Sequence, residues 1–304
     1  MPSFIAGVAG RAAFMNREPP MLSFSEIFRP ALRKAVAASA GLIAVQQPAA
    51  AQGDLLVAPT RLVLTGGAPA QIVLNNIGAA PATYRISLEL RRMTADGNLE
   101  DVEEANVTPE QRAVIDMFRY SPRRITLPPN QPQSVRLSVR PPEGLPDGEY
   151  RVHMSFRAVP DAQPVEPAAA ADGDAPSATG FTIKLTPIYG VSIPVIYRKG
   201  QLAGGVQIAN PAIVRAGKEG FLKLDLIRSG QRSIYGEIRV VAPGQKDPAF
   251  MVRGIAIYPD VARRSVELPL SAPQLAALKG AMTVEYREMP EQGGKLIASL
   301  PARF

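Results

Sequence analysis

The chain has 304 residues and a formal net charge of +7, and 46% of its residues are hydrophobic. That hydrophobic share allows a sizeable core and excludes wholesale disorder. The chain has no cysteine, which excludes disulfides, thiolate nucleophiles and thiolate metal sites. Its 30 prolines and 25 glycines lie between short apolar runs, a pattern that favours an all-β protein with frequent turns.

An export signal is predicted at the N-terminus. A basic stretch (29–34) precedes an apolar run (35–45) and a segment of small residues that ends at Ala51. This order is typical of a secretory signal, and the run is too short to span a bilayer. An ordinary buried helix is the alternative. We assign 1–51 as a signal peptide region, with Met21 as an alternative start, and expect Sec-type secretion to the periplasm.

Short strands are predicted through the first half of the chain, beginning with alternating apolar residues at 55–66. The acidic and polar segment 95–117 interrupts them, and we expect a loop with a short helix that Thr108 caps and Gln111 supports. Segment 161–180 is rich in Ala, Pro, Asp and Gly, and we expect a mobile loop there. The other strand candidates are 70–78, 82–93, 118–129, 133–142 and 148–160.

The stretch "FTIKLTPIYGVSIPVIYRKG" (181–200) alternates over an unusual length. Its odd positions from Phe181 to Val195 are apolar or proline, whereas most even positions are small or polar. Because side chains alternate across a strand, 181–198 is predicted to be one long strand with an apolar face. Typical strands end after about five or six residues. The surplus length indicates either a partner for the apolar face or a plain edge strand of a sandwich.

A second set of strand candidates follows residue 200. About seven short strands within roughly 100 residues are typical of an Ig-like sandwich, and the first half has a similar number. The predicted fold class is therefore all-β, with two Ig-like β-sandwich domains in tandem after the N-terminal signal segment. The predicted bounds are 52–199 for the N-terminal domain and 200–304 for the C-terminal domain.

No catalytic constellation emerges from the sequence. His153 is the single histidine, and we interpret it as a surface or half-buried strand residue. No nucleophile elbow, P-loop or dinucleotide fingerprint occurs. The carboxylate run at 100–105 is interpreted as a solvated face, with a calcium site as the alternative. The basic residues are scattered, which argues against nucleic-acid binding. We expect neither an enzyme nor a cofactor or metal site.

Several stretches between 55 and 200 resemble, in family order, the PapD-like periplasmic pilus chaperones. A T-R pair in the first strand places an arginine at Arg61, and a Y-R pair ends the long strand at Arg198. The second half of the chain offers little motif support. The matching stretches are "LLVAPTRLVL", "VLNNIG", "FRYSPRRITLPPNQPQSVRL", "LPDGEYRVHMSFRAVP" and "VIYR".

The resemblance implies a chaperone that lends its long strand to a pilin-like subunit lacking a C-terminal strand. Main-chain hydrogen bonds and alternating side chains would hold the subunit, which then passes to an outer-membrane usher. Ile193 and Val195 are expected to pack in the chaperone's own core. The implied donor residues are Phe181, Ile183, Leu185, Tyr189 and Val191.

The resemblance also implies an anchor for the subunit's terminal carboxylate, formed by an arginine and a lysine. Arg61 matches the arginine, but the lysine position is occupied by Pro194, so the chain departs from the family pattern. Lys184 is no substitute because it lies roughly 33 Å away along an extended strand. The alternatives are that Arg61 holds the carboxylate alone or together with another arginine. Glu149 and Arg198 match positions that form an interdomain ion pair, and we expect a structural role for them.

A secreted Ig-like structural or adhesive module without chaperone activity is the alternative function. No membrane span is expected after signal removal. An unpaired apolar edge also favours association with another copy, so self-dimerisation of the free protein stays an open alternative.

Overall fold

The computed structural model describes residues 55–160 and 188–304. The predicted signal region, the predicted loop 161–180 and positions 181–187 of the predicted long strand lie outside these residues. Within the described ranges the regular structure is almost entirely strand, and the all-β prediction is confirmed.

The first sandwich consists of a four-stranded and a five-stranded sheet. Its elements are β1 (Leu55–Ala58), β2 (Leu62–Thr65), β3 (Ala70–Asn76), β4 (Ala82–Glu89), β5 (Arg91–Met93), β6 (Leu99–Asp101), α1 (Pro109–Met117), β7 (Phe118–Ser121), β8 (Arg124–Leu127), β9 (Gln133–Val139), β10 (Gly148–Val159) and β11 (Gly190–Lys199). The strand orders are β1-β3-β9-β7 and β2-β11-β10-β4-β8, and β5 and β6 form a separate hairpin.

The predicted strand at 55–66 forms two strands in different sheets. β1 pairs antiparallel with β3, whereas β2 runs parallel to β11. Pro59 lies between them, and its lack of a main-chain N–H disfavours a continuous ladder. Val57 and Leu64 are nevertheless buried in the same core. The chain thus crosses from one sheet to the other and helps to close the sandwich.

The first core lies between the two sheets and is built from alternating residues of both. Ile193 and Val195 of β11 are buried in it, which confirms the expectation for these two residues. Each large aliphatic side chain buried in this way contributes roughly 1.5 to 3 kcal/mol. The other fully buried members include Ile72, Leu74, Tyr84, Leu127, Leu137, Met154 and Phe156.

The segment between β4 and β7 is more ordered than the predicted loop. α1 begins as predicted, because the Gln111 N–H donates to Thr108 Oγ1 at 3.3 Å and the Thr108 N–H donates to Gln111 Oε1 at 3.0 Å. The β5–β6 hairpin precedes it, and the carbonyl of Ala95 in its turn accepts a hydrogen bond from Ser265 N–H at 2.7 Å. The hairpin thereby contacts the second sandwich.

The second sandwich has a three-stranded and a four-stranded sheet. Its elements are β12 (Gly204–Ala216), β13 (Glu219–Gly230), β14 (Ile234–Val241), β15 (Phe250–Ile257), β16 (Arg263–Leu270), α2 (Ala272–Ala277), β17 (Ala281–Glu288) and β18 (Leu296–Arg303). The strand orders are β12-β13-β16 and β15-β14-β17-β18. Leu222, Leu226, Ile238, Val240 and Val284 lie fully buried between the sheets.

α2 was not predicted from the sequence, although its start carries a recognisable signal. The Ser271 N–H donates to Gln274 Oε1 at 2.9 Å, the capping-box spacing also seen at α1. Neither helix is long and apolar enough to cross a bilayer, and the same holds for every helix in the part of the chain that the structure describes.

A small third core joins the two sandwiches. Met93 and Ile196 contribute from the first sandwich, and Ala256 and Tyr258 contribute from the second. All four side chains are buried. β11 ends at Lys199 and β12 begins at Gly204. The domain boundary between residues 199 and 200 stays a prediction.

Candidate functional site: an open strand edge beside the joint between the sandwiches

Among the described strands, the N-terminal half of β11 is paired on one side only, which leaves an open edge. β10 pairs with β11 from Gly190 to Lys199, whereas β2 pairs on the other side only from Val195 to Arg198. Among the described strands, none covers Gly190 to Pro194 on the β2 side. Within the described part of the chain, the main-chain groups on this side of Gly190 to Pro194 therefore have no strand partner.

The hydrogen-bond pattern shows which main-chain groups face this edge. The Ala158 N–H donates to the Tyr189 carbonyl at 2.9 Å. Because hydrogen-bonded and non-hydrogen-bonded pairs alternate in an antiparallel ladder, the N–H groups of Gly190 and Ser192 point away from β10. Pro194, two residues after Ser192, has the same orientation relative to β10 but lacks a main-chain N–H. The open edge thus presents two donors before the proline.

The side chains flanking the edge differ in exposure. Ile188 and Tyr189 are 58% and 49% exposed, whereas Val191 packs partly against the first core. Tyr189 is therefore the most accessible of the described donor candidates. The candidates Phe181, Ile183 and Leu185 lie outside the described residues.

Arg61 lies beside Pro194 at the end of the open edge. The parallel register pairs Leu62 with Val195, so Arg61 is level with Pro194 one residue earlier. These are the two positions that the resemblance assigns to the arginine and the lysine of the carboxylate anchor. The structure thus brings the two positions together, and one of them has no positive charge.

The Arg61 guanidinium reaches the second sandwich. It donates to Tyr258 Oη at 3.0 Å and to Ser233 Oγ at 2.9 Å. It also lies over the rings of Tyr235 and Tyr258, at 4.8 and 5.4 Å from their centroids. Every one of these partners is neutral. Among the ion pairs of the described residues, none includes Arg61, and the carboxylates in its surroundings include Glu149, which shares Ser233 with it, and Glu288, which lines the same small cavity.

Glu149 and Arg198 form an ion pair beside Arg61. Arg198 Nε donates to Glu149 Oε2 at 2.8 Å, and the same oxygen accepts from Ser233 N–H and Ser233 Oγ–H, both at 3.0 Å. The Glu149 side chain is 1% exposed. Arg198 also donates to the Ser233 carbonyl at 3.1 Å. The pair connects β10 and β11 to the second sandwich, and its role as an interdomain structural element stays a prediction.

Arg151 makes a second polar connection to the second sandwich. It forms an ion pair with Asp260 and donates to the carbonyl of Arg91 at 2.9 Å. Its guanidinium lies 3.7 Å from the centroid of the Tyr258 ring. Asp260 also accepts from the Met93 N–H at 3.1 Å. The hairpin, β10 and the second sandwich therefore meet at one carboxylate.

The interpretation of His153 as a surface or half-buried residue is wrong. Its side chain is 1% exposed, and neither ring nitrogen has a hydrogen-bond partner. Val152 and Met154 enter the first core, so His153 points to the opposite face of the sheet, the face on which Arg151 meets the second sandwich. Burial, followed by the nearby charges of Arg151, Arg91 and Arg61, lowers the pKa of His153 to about 3.

The carboxylate run at 100–105 includes part of β6. Asp101 pairs with Arg91 at 2.7 Å, and Glu104 forms an ion pair with Arg112. No cluster of His, Asp and Glu suitable for a metal ion occurs among the residues that the structure describes.

Several hydrogen-bonding and ion-pair contacts between the two sandwiches were not predicted from the sequence. Arg61 is separated from Ser233 and Tyr258 by 172 and 197 residues, and Arg151 is separated from Asp260 by 109 residues. No local periodicity connects positions so far apart in the chain. Tyr-Pro-Asp at 258–260 carries only a turn signal.

No family model and no curated protein matches the chain. Among solved structures, the chain is similar to the E. coli chaperone DraB, with 15% identity, a TM-score of 0.41, and coverage of 82% of this chain and 96% of that one. The chain is also similar to a chain in the structure of the Salmonella enterica SafA pilin in complex with the SafB chaperone. The identity is 18% and the TM-score is 0.40, and the match covers 82% of this chain and 96% of that one. The Pseudomonas aeruginosa CupB2 chaperone is 12% identical, with 82% and 100% covered and a TM-score of 0.42.

Proposed function

We propose that the protein is a periplasmic chaperone that binds pilus or fimbrial subunits by donating an edge strand and delivers them to an outer-membrane usher. The observation that carries this proposal is the open edge of β11 between Gly190 and Pro194. An exposed edge is a liability unless another strand covers it. A subunit lacking its own C-terminal strand is a complementary partner.

Strand addition uses both the main chain and the side chains of the donor. The N–H groups of Gly190 and Ser192 are directed toward the incoming strand, which supports main-chain pairing. Exposed Tyr189 is available to fill a pocket of the subunit. Each additional large aliphatic side chain buried in the subunit contributes roughly 1.5 to 3 kcal/mol. The proposed donor set is Phe181, Ile183, Leu185, Tyr189 and Val191.

Arg61 is the proposed anchor for the C-terminal carboxylate of the subunit. Its direct partners are neutral hydroxyls and aromatic rings, so the guanidinium is in no ion pair that an incoming carboxylate would have to replace. The residues that line a small cavity of about 30 Å³ include three arginines, Arg61, Arg198 and Arg232, and one carboxylate, Glu288. We propose that a neighbouring arginine of this cavity supplies the second positive charge that Pro194 does not provide.

The location and the delivery step rest on the sequence. In this proposal the signal at 1–51 directs the chain to the periplasm by the Sec route, where it meets the subunit and the periplasmic side of the outer-membrane usher. The function needs no catalysis and no cofactor, because binding is stoichiometric.

Co-expression with a pilin-like subunit from the same genome tests the proposal. We expect the subunit to remain soluble and to purify in a one-to-one complex. The double substitution Leu185→Glu and Tyr189→Glu should lower the recovered complex by at least about tenfold, because 1.4 kcal/mol already corresponds to that factor. The measurement is the amount of subunit that co-purifies with the chaperone.

Met251→Glu is the matched control, because Met251 is also an exposed apolar strand residue, at 40% exposure, but lies on β15 of the second sandwich. It should leave the yield unchanged. Equal aggregation of the subunit with and without this protein would favour the structural or adhesive module instead. An unchanged yield in the double variant would place the contact elsewhere.

A further inference from the structure

Three exposed arginines lie side by side across the five-stranded sheet of the first sandwich. In the strand registers Arg124 of β8 pairs with Arg85 of β4, and Arg85 pairs with Arg157 of β10. Arg157 in turn pairs with Gly190 at the start of β11. We call Arg124, Arg85 and Arg157 the arginine row.

The arginine row faces outward. The neighbours of Arg85 along β4 are Tyr84 and Ile86, which are buried in the first core, so alternation directs Arg85 to the opposite face. The side chains of all three arginines are exposed. Directly opposite side chains in a sheet have Cβ atoms about 4.5 to 5.5 Å apart, and like charges at this distance are destabilising. The repulsion among the three positive charges of the row therefore lowers the stability of the folded protein.

Little negative charge compensates the row within the described ranges. Glu89 is the one carboxylate in an ion pair with it, at 3.8 Å from Arg157, and Glu89 also pairs with Arg91 at 3.3 Å. Most flanking side chains carry hydroxyls, such as Thr83 and Thr126, whose oxygens are 2.9 Å apart, and Val159 is an apolar neighbour on β10. Among the described residues, the row thus keeps a net positive charge in a mostly polar surround.

We propose that the arginine row docks an acidic segment of a partner protein, with two or three closely spaced Asp or Glu residues. Because neighbouring strands are about 4.8 Å apart, the Cα atoms of the two outer arginines, Arg124 and Arg157, are roughly 10 Å apart. Carboxylates at alternate positions of an extended peptide are about 6.8 Å apart and fall within this span. The planar guanidinium fork binds a carboxylate with two parallel hydrogen bonds.

The surround favours an acidic peptide over a nucleic acid. Single-stranded nucleic acids bind through aromatic side chains that stack on bases in a positively charged groove. In the strand registers the row is flanked by Thr83, Thr126, Ser87, Ser155 and Val159, and none of these supplies a ring. The proposal does not depend on strand donation, although the row ends next to the open edge at Gly190.

Fluorescence anisotropy with a fluorescein-labelled hexa-aspartate peptide at low salt tests the proposal. The row variant Arg85→Gln/Arg124→Gln/Arg157→Gln is compared with the control variant Arg92→Gln/Arg140→Gln/Arg215→Gln, which removes the same charge at scattered exposed positions. We expect wild-type protein to bind, the row variant to lose affinity by about tenfold or more, and the control to change less than about twofold. Binding should weaken with added salt.

Three outcomes would overturn the proposal: no binding by wild-type protein, equal losses in both variants, or tighter binding of a labelled oligothymidine than of the peptide. The single variant Arg85→Gln provides a second measurement in case the triple variant does not fold. It removes the central charge and relieves both like-charge contacts. We expect a severalfold loss of peptide affinity with a thermal midpoint no lower than that of the wild type, and unchanged affinity would contradict the proposal.

Discussion

Replacing Arg198 with methionine is expected to lower the free energy of unfolding by about 3 to 5 kcal/mol, because the change leaves a buried carboxylate without its cation. The Glu149 side chain is 1% exposed, and its Oε2 accepts from Arg198 Nε at 2.8 Å. Methionine retains most of the apolar stem of the arginine, so the loss reports the charge and its hydrogen bonds. Urea unfolding at pH 7 measures the effect.

A double-mutant cycle distinguishes an unpaired charge from lost packing. Glu149→Gln removes the negative charge and keeps one side-chain oxygen, which can accept from the N–H and the hydroxyl of Ser233 as Glu149 Oε2 does. We expect the double variant Glu149→Gln/Arg198→Met to be more stable than Arg198→Met alone, since no charge is then buried unpaired. Additive losses would show that the ion pair does not hold β10 and β11 to the second sandwich in this way.

Acid is expected to destabilise the protein through His153. The unfolded chain takes up a proton on this residue below pH 6.5, whereas the folded protein does so only near the lowered pKa of about 3. Stability from this residue is therefore intact above pH 6.5, falls as the pH falls, and stops changing below about 3. The loss amounts to about 2 kcal/mol at pH 5 and about 3 kcal/mol at pH 4.

The matched variant His153→Leu removes the titrating group and fills the buried site with an apolar side chain. The difference in unfolding free energy between this variant and the wild type should increase steadily from pH 7 to pH 4, because effects of other titrating groups cancel in the comparison. As the single histidine of the chain, His153 also gives one imidazole signal by NMR. A titration of this signal near pH 6.5 in the folded protein would contradict the account.

Features of the fold that depend on interactions between residues close in the sequence were predictable from the sequence. The Thr108 and Gln111 spacing predicted the start of α1 because a capping box needs only four consecutive residues. Alternation predicted the apolar face of β11, and the resemblance implied that Ile193 and Val195 on that face pack in the chain's own core, where they are buried. The β5–β6 hairpin was missed because its short strands carry charged residues and little apolar alternation.

The candidate site depended more on contacts between distant parts of the chain. His153 alternates with core residues along β10, so a strand with only one buried face would leave it exposed. In the structure the contact between the two sandwiches covers the other face as well, and His153 is buried. Arg61 was identified by resemblance, but its contacts with Tyr258 and Ser233 follow from packing of the two sandwiches. The arginine row required the strand registers, which sequence alternation does not determine.

The central claim is that a subunit pairs with the open edge of β11, and amide hydrogen exchange of Gly190 and Ser192 tests it most directly. These two N–H groups face away from β10, whereas those of Val191 and Ile193 face it and serve as internal controls. In a complex with the subunit, we predict that exchange of Gly190 and Ser192 slows by about tenfold or more, while Val191 and Ile193 change little. Unchanged exchange at Gly190 and Ser192 in a stable complex would contradict strand donation at this edge.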